Sequence, residues 1–162
     1  GEKHTVIFRG EHIIVNVAPK PMENKELTVA HAYAIYYGDK FTPDTADNFY
    51  LYLSDKGLDE YGFEQAGGSY YAFDLYTECV EDMVLPYCDY AWDDKDTLVA
   101  GTISAYYRYN DEGTGYEESV YPTMATLSVT ESGIEAEVWF DETKHILHFV
   151  GTATVYEAPK DE

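Results

Sequence analysis

Apolar and polar side chains alternate with a period of two along most of this chain. Phe49, Leu51 and Leu53 are interleaved with Tyr50 and Tyr52, and Tyr71, Phe73 and Leu75 with Ala72 and Asp74. Ile134, Ala136, Val138 and Phe140 are separated by Glu135, Glu137 and Trp139. Successive side chains of a strand point to opposite faces, so each run makes a strand with one apolar and one more polar face. No window of comparable length keeps an apolar stripe at helical spacing. The pattern predicts strands over 4–9, 11–17, 27–37, 48–54, 69–78, 85–92, 100–109, 120–130, 134–140, 144–150 and 152–157.

Turn residues mark the breaks. Glu131-Ser132-Gly133 suits a short hairpin with glycine at positive φ, and Asp141-Glu142-Thr143-Lys144 suits a four-residue hairpin loop. Longer polar loops are expected at 38–47, 55–68 and 110–118. Strands this close together leave no room for crossover helices. The fold class that follows is all-β, an antiparallel two-sheet sandwich, with a closed lipocalin-like barrel as the alternative. The expected core is Val29, Tyr33, Ile35, Phe49, Leu51, Leu53, Tyr71, Phe73, Leu75, Ile103, Leu127, Val129, Ile134, Val138 and Phe140.

A length of 162 residues fits a single domain, 1–162. Residues 1–26 supply a leading strand or two and a connection in which Pro19, Pro21 and four charges interrupt the β pattern; 27–157 form the main body. Leu, Ile, Val and Phe number only 35, a level close to that of disordered chains, but 17 Tyr, seven Phe and two Trp supply the missing area to bury.

Charge narrows the function. Ten Lys and Arg against 31 Asp and Glu give a formal net charge of -21. That balance excludes a general nucleic-acid binder and docking on anionic lipid through a basic patch. No apolar run approaches the roughly 20 residues of a membrane-spanning helix, and residues 1–20 do not read as a signal segment.

Candidate chemistry is sparse. There is no Gly-x-Ser-x-Gly elbow and no Cys-x-x-Cys pair. His145 and His148, three apart on a strand, face opposite ways and do not share a metal. Asp93, Asp94 and Asp96 crowd one turn and are weak calcium candidates, set against the solvated-loop clusters that 31 acids produce by composition. A glycosidase acid pair drawn from the same loops needs a spacing that sequence does not show. No cofactor is expected. Cys79 and Cys88 sit at the end of one predicted strand and early in the next, so a disulfide between them would close a hairpin and add roughly 2–3 kcal/mol; two free thiols are the alternative.

The tyrosines are the most informative feature. Sixteen of the 17 lie between 33 and 121. With Phe49, Tyr71 and Ile103 and their alternates facing the core, the opposite face carries Tyr50, Tyr52, Tyr70, Tyr76 and Tyr106. Tyr36 joins them if Tyr33, Ile35 and Tyr37 point inward. Rings and hydroxyls together suit contact with sugars or with a partner protein. Equally, tyrosine has high β propensity, and cross-strand aromatic pairs stabilise sheets by themselves.

The stretch Asn48-Phe49-Tyr50-Leu51-Tyr52-Leu53-Ser54-Asp55, then Tyr71-Ala72-Phe73-Asp74-Leu75-Tyr76, then Leu85-Pro86-Tyr87-Cys88-Asp89-Tyr90 resembles a module of exported, uncharacterised β-domain proteins of gut Bacteroidetes. The group shows a Leu-Ser-Asp strand end, an Asp-Leu-Tyr strand and a Leu-Pro-x-Gly-x-Tyr turn; Cys88 stands here in the place of that glycine. Ala100–Ser104 and Thr126–Gly133 look similar to its later strands. The resemblance covers roughly 30–155. It implies an all-β fold and an exported, periplasmic or cell-surface location, with an outer-membrane lipoprotein anchored upstream as one form. It brings no catalytic residues.

The resulting expectation is a non-catalytic cell-envelope module that binds glycan or protein through exposed aromatics, with Trp92, Tyr106, Tyr109, Tyr50 and Tyr52 as ligand contacts. The alternatives are a spacer domain without a small-molecule site, a lipocalin-like carrier of a small hydrophobic ligand, and a hydrolase using loop carboxylates.

Overall fold

A computed structural model of the chain describes residues 22–113 and 118–159. The strands predicted over 4–9 and 11–17 lie outside these. Ten strands follow in chain order: β1 Glu23–Thr28, β2 His31–Gly38, β3 Asp47–Ser54, β4 Gly68–Thr77, β5 Cys88–Trp92, β6 Thr102–Asn110, β7 Met124–Val129, β8 Gly133–Trp139, β9 Thr143–Val150 and β10 Thr154–Glu157. No helix occurs among the described residues.

All ten belong to one sheet, in the order β1-β9-β8-β7-β5-β6-β4-β3-β2-β10. It curls into a half-barrel, and this corrects the antiparallel two-sheet sandwich. Three neighbours run parallel: β1 with β9, β10 with β2, and β5 with β6. None needs a crossover helix. The first two pairs join strands from distant parts of the chain. In the third, β5 ends beside the start of β6, with only Ala91 and Trp92 paired to Thr102 and Ile103. The chain jogs sideways there and continues in the same direction, which carries the sheet from one half to the other.

The expected strand over 27–37 is broken at Val29-Ala30, whose amides donate to His148 O and Ser54 O, each at 3.0 Å. At this point the chain leaves β9 for β3. Residues 23–26, read as connection from their charges, are strand. They form an edge, exposed and charged, where alternation is not required and charge discourages pairing with other chains.

The two halves of the curl press their inner faces together. Ala34, Phe49, Leu51, Leu53, Tyr71, Phe73, Leu75 and Ile103 meet Tyr90, Leu127, Val129, Ile134, Val138 and Leu147 in one core. Phe140 packs half-buried against it. The concave side is therefore filled by side chains along its middle. Two core assignments are corrected: Tyr33 and Ile35 pair with Tyr52 and Tyr50 on the outer face, and Ala32, Ala34 and Tyr36 turn inward. The face of β2 with Tyr33, Ile35 and Tyr37 is the bulkier and more apolar one in sequence. The bulky inner row of β3 decides, because alanine fits opposite Leu51 and Leu53.

One polar contact bridges the interior. The Tyr71 hydroxyl on β4 lies 2.7 Å from Nδ1 of His145 on β9, among the rings of Tyr107 and Phe140. His145 is buried and His148 exposed, on opposite faces as their spacing requires. Burial and, less so, nearby Lys25 lower the His145 pKa from 6.5 to about 4.

Gly133 opens β8 as the hairpin reading expects, with Thr130 N donating to Gly133 O at 2.9 Å, but its φ is not positive. Its need for glycine is steric: a Cβ there would lie 2.1 Å from Phe149 O. Gly133→Ala should therefore lower unfolding stability by roughly 1–3 kcal/mol in a denaturant titration. A second expectation concerns pH. His145 stays neutral in the fold while the unfolded chain protonates first, so stability should fall as pH drops from 6.5 towards about 4. The slope from this group is about 1.4 kcal/mol per pH unit. His145→Gln should flatten the stability–pH curve in that window; equal slopes would contradict the assignment.

Candidate functional site

The outer face of β2, β3, β4 and β6 carries the tyrosines. Register brings Tyr33, Tyr52, Ala72 and Tyr106 into one row across the four strands, and Ile35, Tyr50, Asp74 and Ser104 into the next. Ala72 keeps the centre of the first row low, so larger rings stand around it. Tyr33 stacks on Tyr52 with centroids 4.8 Å apart, Tyr50 meets Tyr52 edge-on at 5.2 Å, and Tyr121 extends the cluster beyond Tyr106. Tyr50 also meets the Tyr106 ring, with centroids 6.3 Å apart. Burial, more than any neighbour, raises the pKa values of Tyr33, Tyr50 and Tyr52, so these hydroxyls keep their protons and remain donors.

Two loops overhang this face. Residues 55–67 cover one end, where the Tyr70 hydroxyl donates to Gly57 O at 2.7 Å and accepts from Gln65 N at 2.6 Å. Tyr70 is only 1% exposed as a result. Asp59 shapes the loop tip by accepting from the amides of Tyr61 and Phe63, each at 2.9 Å. Arg108, projecting from β6 beside Tyr70, holds the loop with two bonds to Glu64, Nε to Oε2 at 3.0 Å and a second from the guanidinium to Oε1. At the other end the 93–101 loop lies by Tyr76, with Gly101 N donating to Tyr76 O at 2.8 Å. Burial, together with Asp74 and Asp96, pushes the Tyr76 pKa up to about 12. Asp74 is raised by burial against the opposing effect of Asn48, whose Nδ2 donates to it at 2.6 Å.

Between the tyrosine rows and the 58–64 tip lies a cleft of about 570 Å³, walled by Tyr33, Tyr52, Phe63, Glu64 and Arg108. Beyond the tip, on the β10 side, a broader hollow of about 780 Å³ shares Tyr33, Ile35 and Asp59 with it. The two make one trench along the outer face. Phe63 stands 68% exposed, with its ring uncovered.

Of the expected ligand contacts, Tyr50, Tyr52 and Tyr106 come together here. Trp92 and Tyr109 do not. Trp92 packs against the core beside Ile103, and Tyr109 shares the inner parity of Tyr107 at the end of β6. Tyr36 is likewise inward, against Phe49. Sequence reasoning missed Tyr33, Phe63 and the Arg108–Glu64 pair. The last two residues are 44 positions apart, with no local pattern linking them.

The acidic turn has a structural task. Asp93 accepts from Thr97 N and Oγ1, each at 2.6 Å, and from Lys95 N at 3.0 Å, and these bonds lower its pKa. Asp93, Asp94 and Asp96 do not converge as calcium ligands, and no group of three or more His, Cys, Asp or Glu among the described residues is placed to hold a metal. Cys79 and Cys88 are free thiols. They do not close a hairpin, since β6 lies between β4 and β5, yet both line a hollow of about 380 Å³.

No protein-family model, curated protein or solved structure matches this chain.

The Arg108–Glu64 pair should be what holds the trench wall in place. Arg108→Met is expected to cost about 1.5–3 kcal/mol, the range for hydrogen bonds to charged groups. Amide exchange should accelerate selectively over 57–65. Uniform acceleration across the sheet would show a global role instead.

Proposed function

We propose that this protein is a non-catalytic binding module, exported to the cell envelope, that takes a neutral glycan in the trench on its outer sheet face. The cleft by the 58–64 tip carries this reading. It sets the uncovered ring of Phe63 near the Tyr33–Tyr52 pair and the fixed Arg108–Glu64 fork. A sugar offers an apolar face to a ring and hydroxyls to donors and acceptors, and a site with a few fixed polar groups among aromatics meets both. The net charge of -21 and the carboxylates of Asp59 and Glu64 disfavour anionic polysaccharides.

Holding suits these carboxylates better than proton transfer. Glu64 is tied to Arg108, Asp59 to two backbone amides and Asp74 to Asn48. Export and envelope location rest on the resemblance of 48–90 to exported β-domain proteins. A second reading, a positively charged protein partner on the same face, draws on the net charge.

Screening on an array of neutral and acidic glycans should yield neutral hits. Phe63→Ala, on an exposed loop, should then weaken binding roughly tenfold, about 1.4 kcal/mol, with unchanged melting temperature. Tyr52→Ala should act in the same direction. An array without hits would favour a spacer domain, and full affinity in Phe63→Ala would reject this cleft.

A further inference from the structure

A second hollow lies at the other side of the sheet, where the filled interior reaches the surface. It has a volume of about 320 Å³ and sits between the β7–β8 hairpin, the 151–153 crossing and the 83–87 segment. Its floor is core: Leu85 at 6%, Val129 at 6% and Ile134 at 1% exposure, with half-buried Val155. Its rim is Met83, Val84 and Tyr87, all exposed. None of its lining residues carries a charge. In a chain with 31 acids this is a marked local exclusion.

The hydroxyl at its hairpin edge is already engaged. Thr130 Oγ1 donates to Gly133 O at 3.1 Å and sits 3.1 Å from Ser132 Oγ. An apolar occupant resting on Leu85, Val129, Ile134 and Val155 would release the water over them. At roughly 30 Å³ per water, the space is that of about ten waters, too small for a helix and suited to a small molecule.

We propose that this hollow binds one small, uncharged, apolar molecule, a one- or two-ring aromatic or a short acyl chain, entering past Val84. The absence of charged walls disfavours cations and anions alike, and the floor continues directly into the core. This is not a lipocalin-like lumen, because the middle of the half-barrel is occupied by side chains. The site adjoins the far end of the trench at Thr152, shares none of the trench tyrosines and does not depend on the glycan reading.

The test is a fluorescence titration of the full chain with N-phenyl-1-naphthylamine, a neutral apolar probe. Saturable binding of one probe per chain in the micromolar range is expected. Val84→Asp places a charge on an exposed rim position and should weaken it at least tenfold without moving the melting temperature. Ala153→Phe should fill the space and abolish binding, while Phe63→Ala should leave it unchanged. Absence of saturable binding, or wild-type affinity in Val84→Asp, would overturn the proposal. So would concentration-dependent dimerisation that Val84→Asp abolishes together with probe binding, since the rim would then be a contact between chains.

Discussion

Strand β4 is buried on both faces, and the rest of the molecule is arranged around that constraint. Tyr71, Phe73 and Leu75 pack inward against the opposite half of the curl, while Tyr70, Ala72 and Tyr76 lie buried on the outward side. A strand in a single sheet gains two-sided burial only if something else covers its second face. Here the 55–67 loop, the 93–101 loop and the neighbouring tyrosines do so. The trench lies beside that cover, between the 58–64 tip and the tyrosines of β2 and β3. The proposed binding face and the stabilising layer thus share tyrosine side chains.

The curl follows from how the strands are joined. The chain passes between halves at Val29-Ala30, between β4 and β5, at the β5–β6 jog, between β6 and β7, and at 151–153, and at the first and last of these β1–β2 and β9–β10 travel together from one half to the other. Their order exchanges on the way: β1 is the edge in one half and β10 in the other. Gly133 sits where the β8 backbone comes hard against Phe149. The packed interior follows as well. Large side chains meet across the curl, and near its end Val129 and Ile134 border a hollow.

Much of the fold was legible in the alternation, and the misses have identifiable causes. The faces of β3, β4 and β6 were assigned correctly because one set of positions carries Leu, Ile and Phe and the other tyrosine or polar groups. β2 was reversed because Tyr33, Ile35 and Tyr37 outweigh Ala32 and Ala34 in apolarity, whereas fit against β3 called for the smaller set inside. Trp92 looked like an exposed anchor next to an acidic turn. Its strand pairs with Ile103, and that places the ring against the core.

What the amino-acid order determined alone was where most strands and turns fall and which side chains share a face. Those properties arise within a few residues, from the backbone's two-residue repeat and from turn chemistry. Strand neighbours, parallel or antiparallel direction, and the meeting of Arg108 with Glu64 were decided only in three dimensions. An alternating segment satisfies its hydrogen bonds beside any partner of matching pleat, so the choice falls to the shape of the whole core. The trench and the smaller hollows exist only after that choice is made.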